Sequence, residues 1–374
     1  MRIGIEAQRI FRRKKHGMDI VIIELIKALQ LIDRENNYFI FVREGEDPSI
    51  SESENFKIIE VPGLTYADWE QIQLPKYAEK YKLDVLHTTS NTGPIRYRGK
   101  LITTLHDVIF LERNKGTQTQ STYQLLGRLY RKWVVPRVMK HAAKILTVSH
   151  YEKKEIADKF QDKANDIEVV YNAFSSHFIE KHKEDAIQKI RLRYKLPDQY
   201  IFFIGNTDPK KNMFRTIRGY RQYCLQAENP LPLVIADIDE KFLLKVLKDS
   251  KALTLRQRIY LTGYVHNHDL PKIYQGAELF LYPSIRESFG IPLLEAMASG
   301  IPVISSQVSA IPEIAGNAAL LVNPFDEISI GKAIHQVTND EIYTKNLIKT
   351  ASAHVQRYSW QNSAENLKTI YQSL

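Results

Sequence analysis

The chain is predicted to be an α/β protein of two doubly wound domains, on three observations. Short apolar runs recur along its 374 residues, each followed by a stretch with helical spacing. That alternation builds parallel strands flanked by helices, and strands covered on both faces read as unbroken apolar runs. The length suits two domains with separate cores, and the strand pattern pauses after Tyr171-Asn172-Ala173, where a charged stretch follows.

In chain order, the first half supplies strands at Arg2–Glu6, Tyr38–Val42, Phe56–Val61, Asp84–His87, Leu101–Leu105, Lys144–Val148 and Ile167–Val170. The second half supplies Tyr200–Ile204, Leu233–Ala236, Ile259–Leu261, Leu279–Tyr282, Val303–Ser305 and Ala319–Val322. Helices are expected over Ile20–Ile32, Thr122–His141, Tyr151–Phe160, Lys211–Gln226 and Glu341–Gln356. Ser359 is placed to cap a last helix from Trp360, with Leu367, Ile370 and Tyr371 on one face. The domains are therefore drawn as 1–173 and 174–358, followed by the terminal helix 359–374.

Hydrophobic residues make up 44% and charged residues 25%, a globular balance. No run approaches the ~20 apolar residues of a membrane span. The start, MRIGIEAQRI, reads as a strand and not as a signal peptide. Cys224 is the only cysteine, which excludes an intrachain disulfide and a cysteine-rich metal site. A cytoplasmic location is expected.

Between Arg96 and Lys144 eleven lysines and arginines meet two acids, Asp107 and Glu112, an excess equal to the whole-chain charge of +9. An anionic membrane surface or an acidic acceptor would be drawn to it. Nucleic acid is not expected, because no RNA- or DNA-binding motif accompanies the charge. Within the segment, Leu125, Leu126, Leu129 and Trp133 follow helical spacing while Arg128, Arg131 and Lys132 occupy another face. That stripe either packs on the sheet or faces a membrane as part of an amphipathic helix, with Pro136 ending or bending its first part.

The most informative stretch is PSIRESFGIPLLEAMASG, from Pro283 to Gly300. A buried strand leads into a turn at Ser288-Phe289-Gly290, Pro292 fits the first turn of a helix, and Gly300 stops it. A loop and helix start of this kind gather unpaired N–H groups, a seat for phosphate. Glu287 in the loop and Glu295 one turn into the helix can then accept hydroxyls from the same ligand. A polyhydroxylated anion such as a nucleotide sugar suits the arrangement; two solvated glutamates on an ordinary strand–loop–helix would have the same spacing.

Gly205-Asn206-Thr207-Asp208-Pro209-Lys210-Lys211-Asn212 follows the strand YIFFI. Asp208 is a plausible N-cap with Pro209 at the first helical position, which puts Lys211 in the first turn, where a cation makes sense beside a bound anion. His106-Asp107 closes the strand LITTL, at the end where such sheets place ligand groups. Gly17 is expected in the loop after the first strand, where backbone can approach a ligand. Asp237-Ile238-Asp239 resembles a metal-binding Asp-x-Asp, but a helix cap explains Asp237 as well.

The run Glu287-Ser-Phe-Gly-Ile-Pro-Leu-Leu-Glu295-Ala-Met-Ala-Ser-Gly300, followed by Pro302-Val303-Ile304, resembles the signature of family-4 glycosyltransferases with the GT-B fold. The similarity continues through Ile311-Pro312-Glu313 and Gly316 to Val322-Asn323-Pro324. The resemblance implies two Rossmann-like domains facing each other across a cleft, with the last helix returning to the first. It implies that Lys211, in the turn opened by Gly205, grips a donor diphosphate together with the helix end after Ser288, Phe289 and Gly290. By the same resemblance Glu287 binds sugar hydroxyls, Glu295 the ribose, His106 the transferred sugar, and the region of Gly263-Tyr264-Val265 the nucleobase. Two departures stand out: Asn206 where many members have arginine, and Asp19 where the first-domain loop often has a second glycine.

The implied activity is retaining transfer of a hexose, mannose being the expected one, from a nucleoside-diphosphate sugar. The acceptor is expected to be a saccharide or a lipid-linked saccharide in surface polysaccharide synthesis, and no metal or other cofactor is expected. A nucleotide-sugar epimerase of the same fold would instead release free nucleotide without acceptor, and a silent membrane scaffold would bind donor without turnover.

Overall fold

The computed structural model describes residues 1–15, 17–111 and 122–374. The chain divides into two compact units, residues 1–173 with 358–374, and residues 174–357. In the first unit β1 (Arg2–Glu6), β2 (Asn37–Val42), β3 (Phe56–Glu60), β4 (Val85–Thr88), β5 (Lys100–Thr104), β6 (Lys144–Thr147) and β7 (Ile167–Val169) form one sheet. Its order is β3-β2-β1-β4-β5-β6-β7 and every pairing is parallel. In the second unit β8 (Ile201–Ile204), β9 (Leu233–Ala236), β10 (Ile259–Gly263), β11 (Leu279–Tyr282), β12 (Val303–Ser306) and β13 (Leu320–Val322) form another, again wholly parallel. Its order is β10-β9-β8-β11-β12-β13. Both units are thus doubly wound α/β, as expected.

Why the strands read as continuous apolar runs is visible in β2. Tyr38, Ile40 and Val42 belong to the core on one face of the sheet, shared with Ile22, Ile26 and Leu29 of the Gly17–Ile32 helix. Phe39 and Phe41 belong to the core on the other, with Trp69, Leu74 and Val138. Successive side chains point to opposite faces, and here both faces are covered. The Trp360–Gln372 helix packs into the first of these cores through Ala364, Leu367, Ile370 and Tyr371, and the Ser359 side chain caps it by accepting from Asn362 N at 3.1 Å.

Two helix starts differ from expectation. Gly17 is the first residue of the Gly17–Ile32 helix, not a loop residue before it. Lys211 lies in a separate 3-10 turn, Pro209–Lys211, and the helix proper is Met213–Gln226. Asn212 separates the two at φ +58°, in the left-handed region, which no continuous right-handed helix admits.

The Thr122–His141 helix forms over the expected range. Its inner side is made by Val134, Val135, Val138 and Met139, all buried. Leu125, Leu126, Leu129 and Trp133 do not pack on the sheet; they are 48%, 62%, 54% and 52% exposed. The valines already fill the sheet-facing side, so the stripe is left outside. Part of the basic segment, residues 112–121, lies outside the described residues.

Order reversal between β8 and β11 creates a switch point in the second sheet, and between β1 and β4 in the first. In open α/β sheets ligands bind beyond the carboxyl ends of strands at such points. The loops after β8 and β11 contain most of the second-unit residues singled out above.

Candidate functional site

At the carboxyl edge of the second sheet the backbone is unusually bent. Asn212, Asp237 and Ser309 are at φ +58°, +62° and +58°, and Gly263 and Gly290 at +65° and +99°. Asn212, Asp237, Ser309 and Gly290 follow β8, β9, β12 and β11, and Gly263 is the last residue of β10. Left-handed backbone at non-glycine residues is uncommon and concentrates where side chains must be aimed. Gly290 opens the Ile291–Ala298 helix at an angle closed to a β-carbon, with Pro292 in the first turn. Gly205 sits in a close-packed place: a Cβ there would stand 2.9 Å from Met213 Cε, the movable end of that side chain, and 3.2 Å from Ile235 and Ile238.

The β8 and β11 loops are bonded to each other. Asn212 Nδ2 donates to Pro283 O at 2.9 Å and to Pro324 O at 2.7 Å, and Ile285 N donates to Lys210 O at 2.7 Å. The same junction brings Lys211 Nζ to 2.8 Å from Glu287 Oε1 and 2.6 Å from the Tyr282 hydroxyl, with the ammonium 4.6 Å from that ring's centroid. Each side chain of the ion pair is 12% exposed. Burial pushes the Glu287 carboxyl up, but Lys211, aided by Lys210 and the Tyr282 hydroxyl, more than offsets it and holds it below the usual range. Glu287 N donates to Ser309 Oγ at 3.0 Å, which ties the loop to the left-handed residue after β12.

Among the described residues no cation is paired with Glu295. Tyr274 Oη donates to Glu295 Oε2 at 3.3 Å, and burial pushes this carboxyl up to about 7. The Tyr274 ring is held edge-on between Phe202 and Phe280, at centroid distances of 5.2 and 5.1 Å. One glutamate is thus kept ionised while the other titrates near neutrality, a separation that suits different roles. Phe289 and Val265 are both buried. Ser288 lies between Glu287 and Phe289 and is half-buried.

Asp239, not Asp237, caps the following helix, accepting from Phe242 N at 2.7 Å. Among the described residues no group of three or more His, Cys, Asp or Glu is arranged to hold a metal ion.

In the first unit His106 lies just beyond β5. Its N donates to Asn91 Oδ1 at 2.6 Å, and its Nε2 donates to Thr89 O at 3.0 Å, leaving Nδ1 as the acceptor. Burial lowers its pKa, against the opposing pull of the Thr89 carbonyl and Asp107, so the ring is neutral. His106 and Thr89 line, with Val21, Ile22 and Val148, a small apolar cavity of about 40 Å³. Gly17, in the same unit, has open space at its Cβ position, so nothing within its own fold demands a glycine.

The description "Glycosyl transferases group 1" matches residues 184–354, and "Glycosyltransferase Family 4" matches residues 16–177. The chain is a family-4, group 1 glycosyltransferase. This glycosyltransferase is 29% identical over 299 residues to the O-antigen chain mannosyltransferase B of Escherichia coli, covering 79% of the chain and 75% of that protein. It is 28% identical over 185 residues to the serotype-specific mannosyltransferase WbdA of E. coli, spanning 49% of the chain but only 23% of that longer protein. The sucrose-phosphate synthase of Thermosynechococcus elongatus superposes with a TM-score of 0.75 at 19% identity, covering 100% of the chain and 98% of its own, which shows the shared GT-B fold.

Sequence reasoning missed several contributors to the glycosyltransferase's site, three of them at the Lys211 and Glu295 positions. Tyr282 and Tyr274 are the hydroxyl partners of Lys211 and of Glu295, and Asn212 pins the two loops together. Only Asn212 carried a local signal, since asparagine after a short capped turn is a natural left-handed residue. The tyrosines read as core aromatics.

Proposed function

We propose that the enzyme transfers mannose from a nucleoside-diphosphate donor to a saccharide or lipid-linked acceptor in the synthesis of a surface polysaccharide. The observation that carries this reading is the Lys211–Glu287 pair, set in the two loops that meet at the switch point of the second sheet. The relatives named as O-antigen and serotype-specific mannosyltransferases support the sugar and the pathway class.

Lys211 and the amino end of the Ile291–Ala298 helix take the diphosphate and the charge that grows on it as it leaves. Glu287, kept ionised, accepts sugar hydroxyls; Glu295 takes the ribose diol; His106 retains the role of candidate sugar contact. The bond from the anomeric carbon to the β-phosphate oxygen breaks, and the acceptor oxygen attacks from the same face. The acceptor proton passes to the departing phosphate oxygen, so configuration is retained without a protein base. The cationic role is assigned to Lys211 and the helix end, and the reaction is proposed to need no metal or other cofactor. We infer a cytoplasmic enzyme, peripheral at the inner face of the membrane.

Purified enzyme screened against nucleoside-diphosphate sugars should release nucleoside diphosphate from the mannose donor when a saccharide acceptor is present. Release from every donor except mannose would overturn the sugar assignment. Release without acceptor would indicate an epimerase or hydrolase.

A further inference from the structure

We propose that the outward face of the Thr122–His141 helix is a docking surface for an anionic bilayer, a partner that rests on the reading of a lipid-linked acceptor above. Leu125, Leu129 and Trp133 are one helical turn apart, with Leu126 beside them, and all four are about half exposed or more. They form a row of large apolar side chains on the outside of the first unit, larger than scattered surface leucines require.

The helix is held so that this row must face out. On its inner side Tyr130 Oη donates to the buried Glu70 at 2.7 Å, and Glu70 is also bonded by Thr92 Oγ1, by the Tyr66 hydroxyl at 3.0 Å and by Gln71 Nε2 at 2.8 Å. Val134 and Val138 join the core with Phe41 and Leu101. The outward orientation is therefore fixed by a satisfied polar cluster and by packing.

Charge decides the occupant. From Thr122 to Lys144 the sequence contains six lysines and arginines and no acid. Lys132, Arg137 and Lys140 are exposed and continue the outward side toward the carboxyl end. Arg137 lies 4.7 Å from the Trp133 ring centroid and donates to Trp133 O at 2.7 Å, so the aromatic and the cation act as one unit. The centre of a protein interface is depleted in charged residues, lysine among them. Leucines and a tryptophan entering the headgroup boundary, with bases facing lipid phosphates, is the arrangement of an interfacial helix.

The test is sedimentation of the full-length protein with vesicles of phosphatidylcholine, with and without phosphatidylglycerol. Wild-type protein should pellet with the anionic vesicles only, and the bound fraction should fall as added salt shortens the Debye length. Leu129→Ser with Trp133→Ser should lower partitioning by at least about tenfold. Lys132→Gln, Arg137→Gln and Lys140→Gln should each lower it roughly fivefold. Because these side chains are exposed, the leucine and the tryptophan by about half, the melting temperature should fall by only a few degrees and donor binding should not change, which separates lost docking from lost folding. Equal pelleting with neutral and anionic lipid would overturn the proposal, as would unchanged pelleting of the variants. So would a wild-type dimer that Leu129→Ser with Trp133→Ser dissociates while vesicle binding persists. Vesicle binding as described in a protein that turns over no donor would sustain the docking surface and overturn only the transfer reading.

Discussion

Replacing Lys211 by methionine keeps the length of the side chain and removes the charge that Glu287 depends on. The pair is 2.8 Å apart, each side chain is 12% exposed, and the Tyr282 hydroxyl is the lysine's second partner. A buried charge that loses its partner costs about 3–5 kcal/mol. The residual exposure puts Lys211→Met at the lower end, about 3 kcal/mol, or roughly 6–12 °C in melting temperature for a domain of this size. In the wild type the Glu287 carboxyl is depressed, so its contribution is present above the unfolded carboxylate value and lost as pH falls through its folded value. In Lys211→Met burial acts unopposed by that ammonium, and protonation relieves the lone charge; the deficit should therefore shrink as pH falls from about 8 to about 5. Glu287→Gln alone should cost about 1–2 kcal/mol. The double variant should lose less than the sum of the two by about 1–3 kcal/mol, while donor turnover stays low in all three. Thermal melts of the four proteins at both pH values decide it. Additive losses, or a Lys211→Met deficit that does not change with pH, would refute the coupling.

Glu295→Gln should make the protein more stable while weakening donor binding. The folded carboxyl titrates at about 7, so the folded state holds a proton that the unfolded state releases from about 4.5 upward. Stability falls over that window and the deficit is constant above it; glutamine should restore up to about 3 kcal/mol above pH ~7 and nothing below pH ~4.5. Equal melting temperatures at about pH 8 would contradict this. Asn212→Gly keeps the left-handed turn but loses the bonds to Pro283 O and Pro324 O; a loss of about 1–3 kcal/mol and a raised donor KM are expected, and an unchanged KM would remove Asn212 from the site. Turnover should survive EDTA, and activity abolished by chelation and restored by manganese would bring Asp237 and Asp239 forward.

The sheets were legible in the sequence because each parallel strand is buried on both faces, so runs such as YIFFI and LFLY carry the signal without any long-range information. The Ile291–Ala298 helix was legible for a local reason too: Gly290, Pro292 and Gly300 mark its ends. The Lys211 turn was not, because the break depends on Asn212 taking a left-handed angle that its bonds to Pro283 and Pro324 impose from 71 and 112 residues away. Tyr282 and Tyr274 were hidden for the same reason, since their rings read as core and only their hydroxyls reach Lys211 and Glu295. The helix at Thr122–His141 left two readings open, a stripe packed on the sheet or one facing outward, and the structure decides for the second. Its apolar spacing is what a sheet-packed helix would show, and only the filling of its inner side by valines leaves the leucines out.

The central claim is that Lys211, Glu287 and the helix end drive retaining sugar transfer. Its most direct test is the anomeric configuration and acceptor dependence of the product, read by NMR from purified enzyme, an α-linked nucleoside-diphosphate mannose and a saccharide acceptor. Expected are an α-mannoside, nucleoside diphosphate released only with acceptor, and at least about a hundredfold loss of rate in Glu287→Gln, the order that follows when a charged contact made in the transition state is removed. A β-linked product, release without acceptor, or a fully active Glu287→Gln enzyme would contradict it.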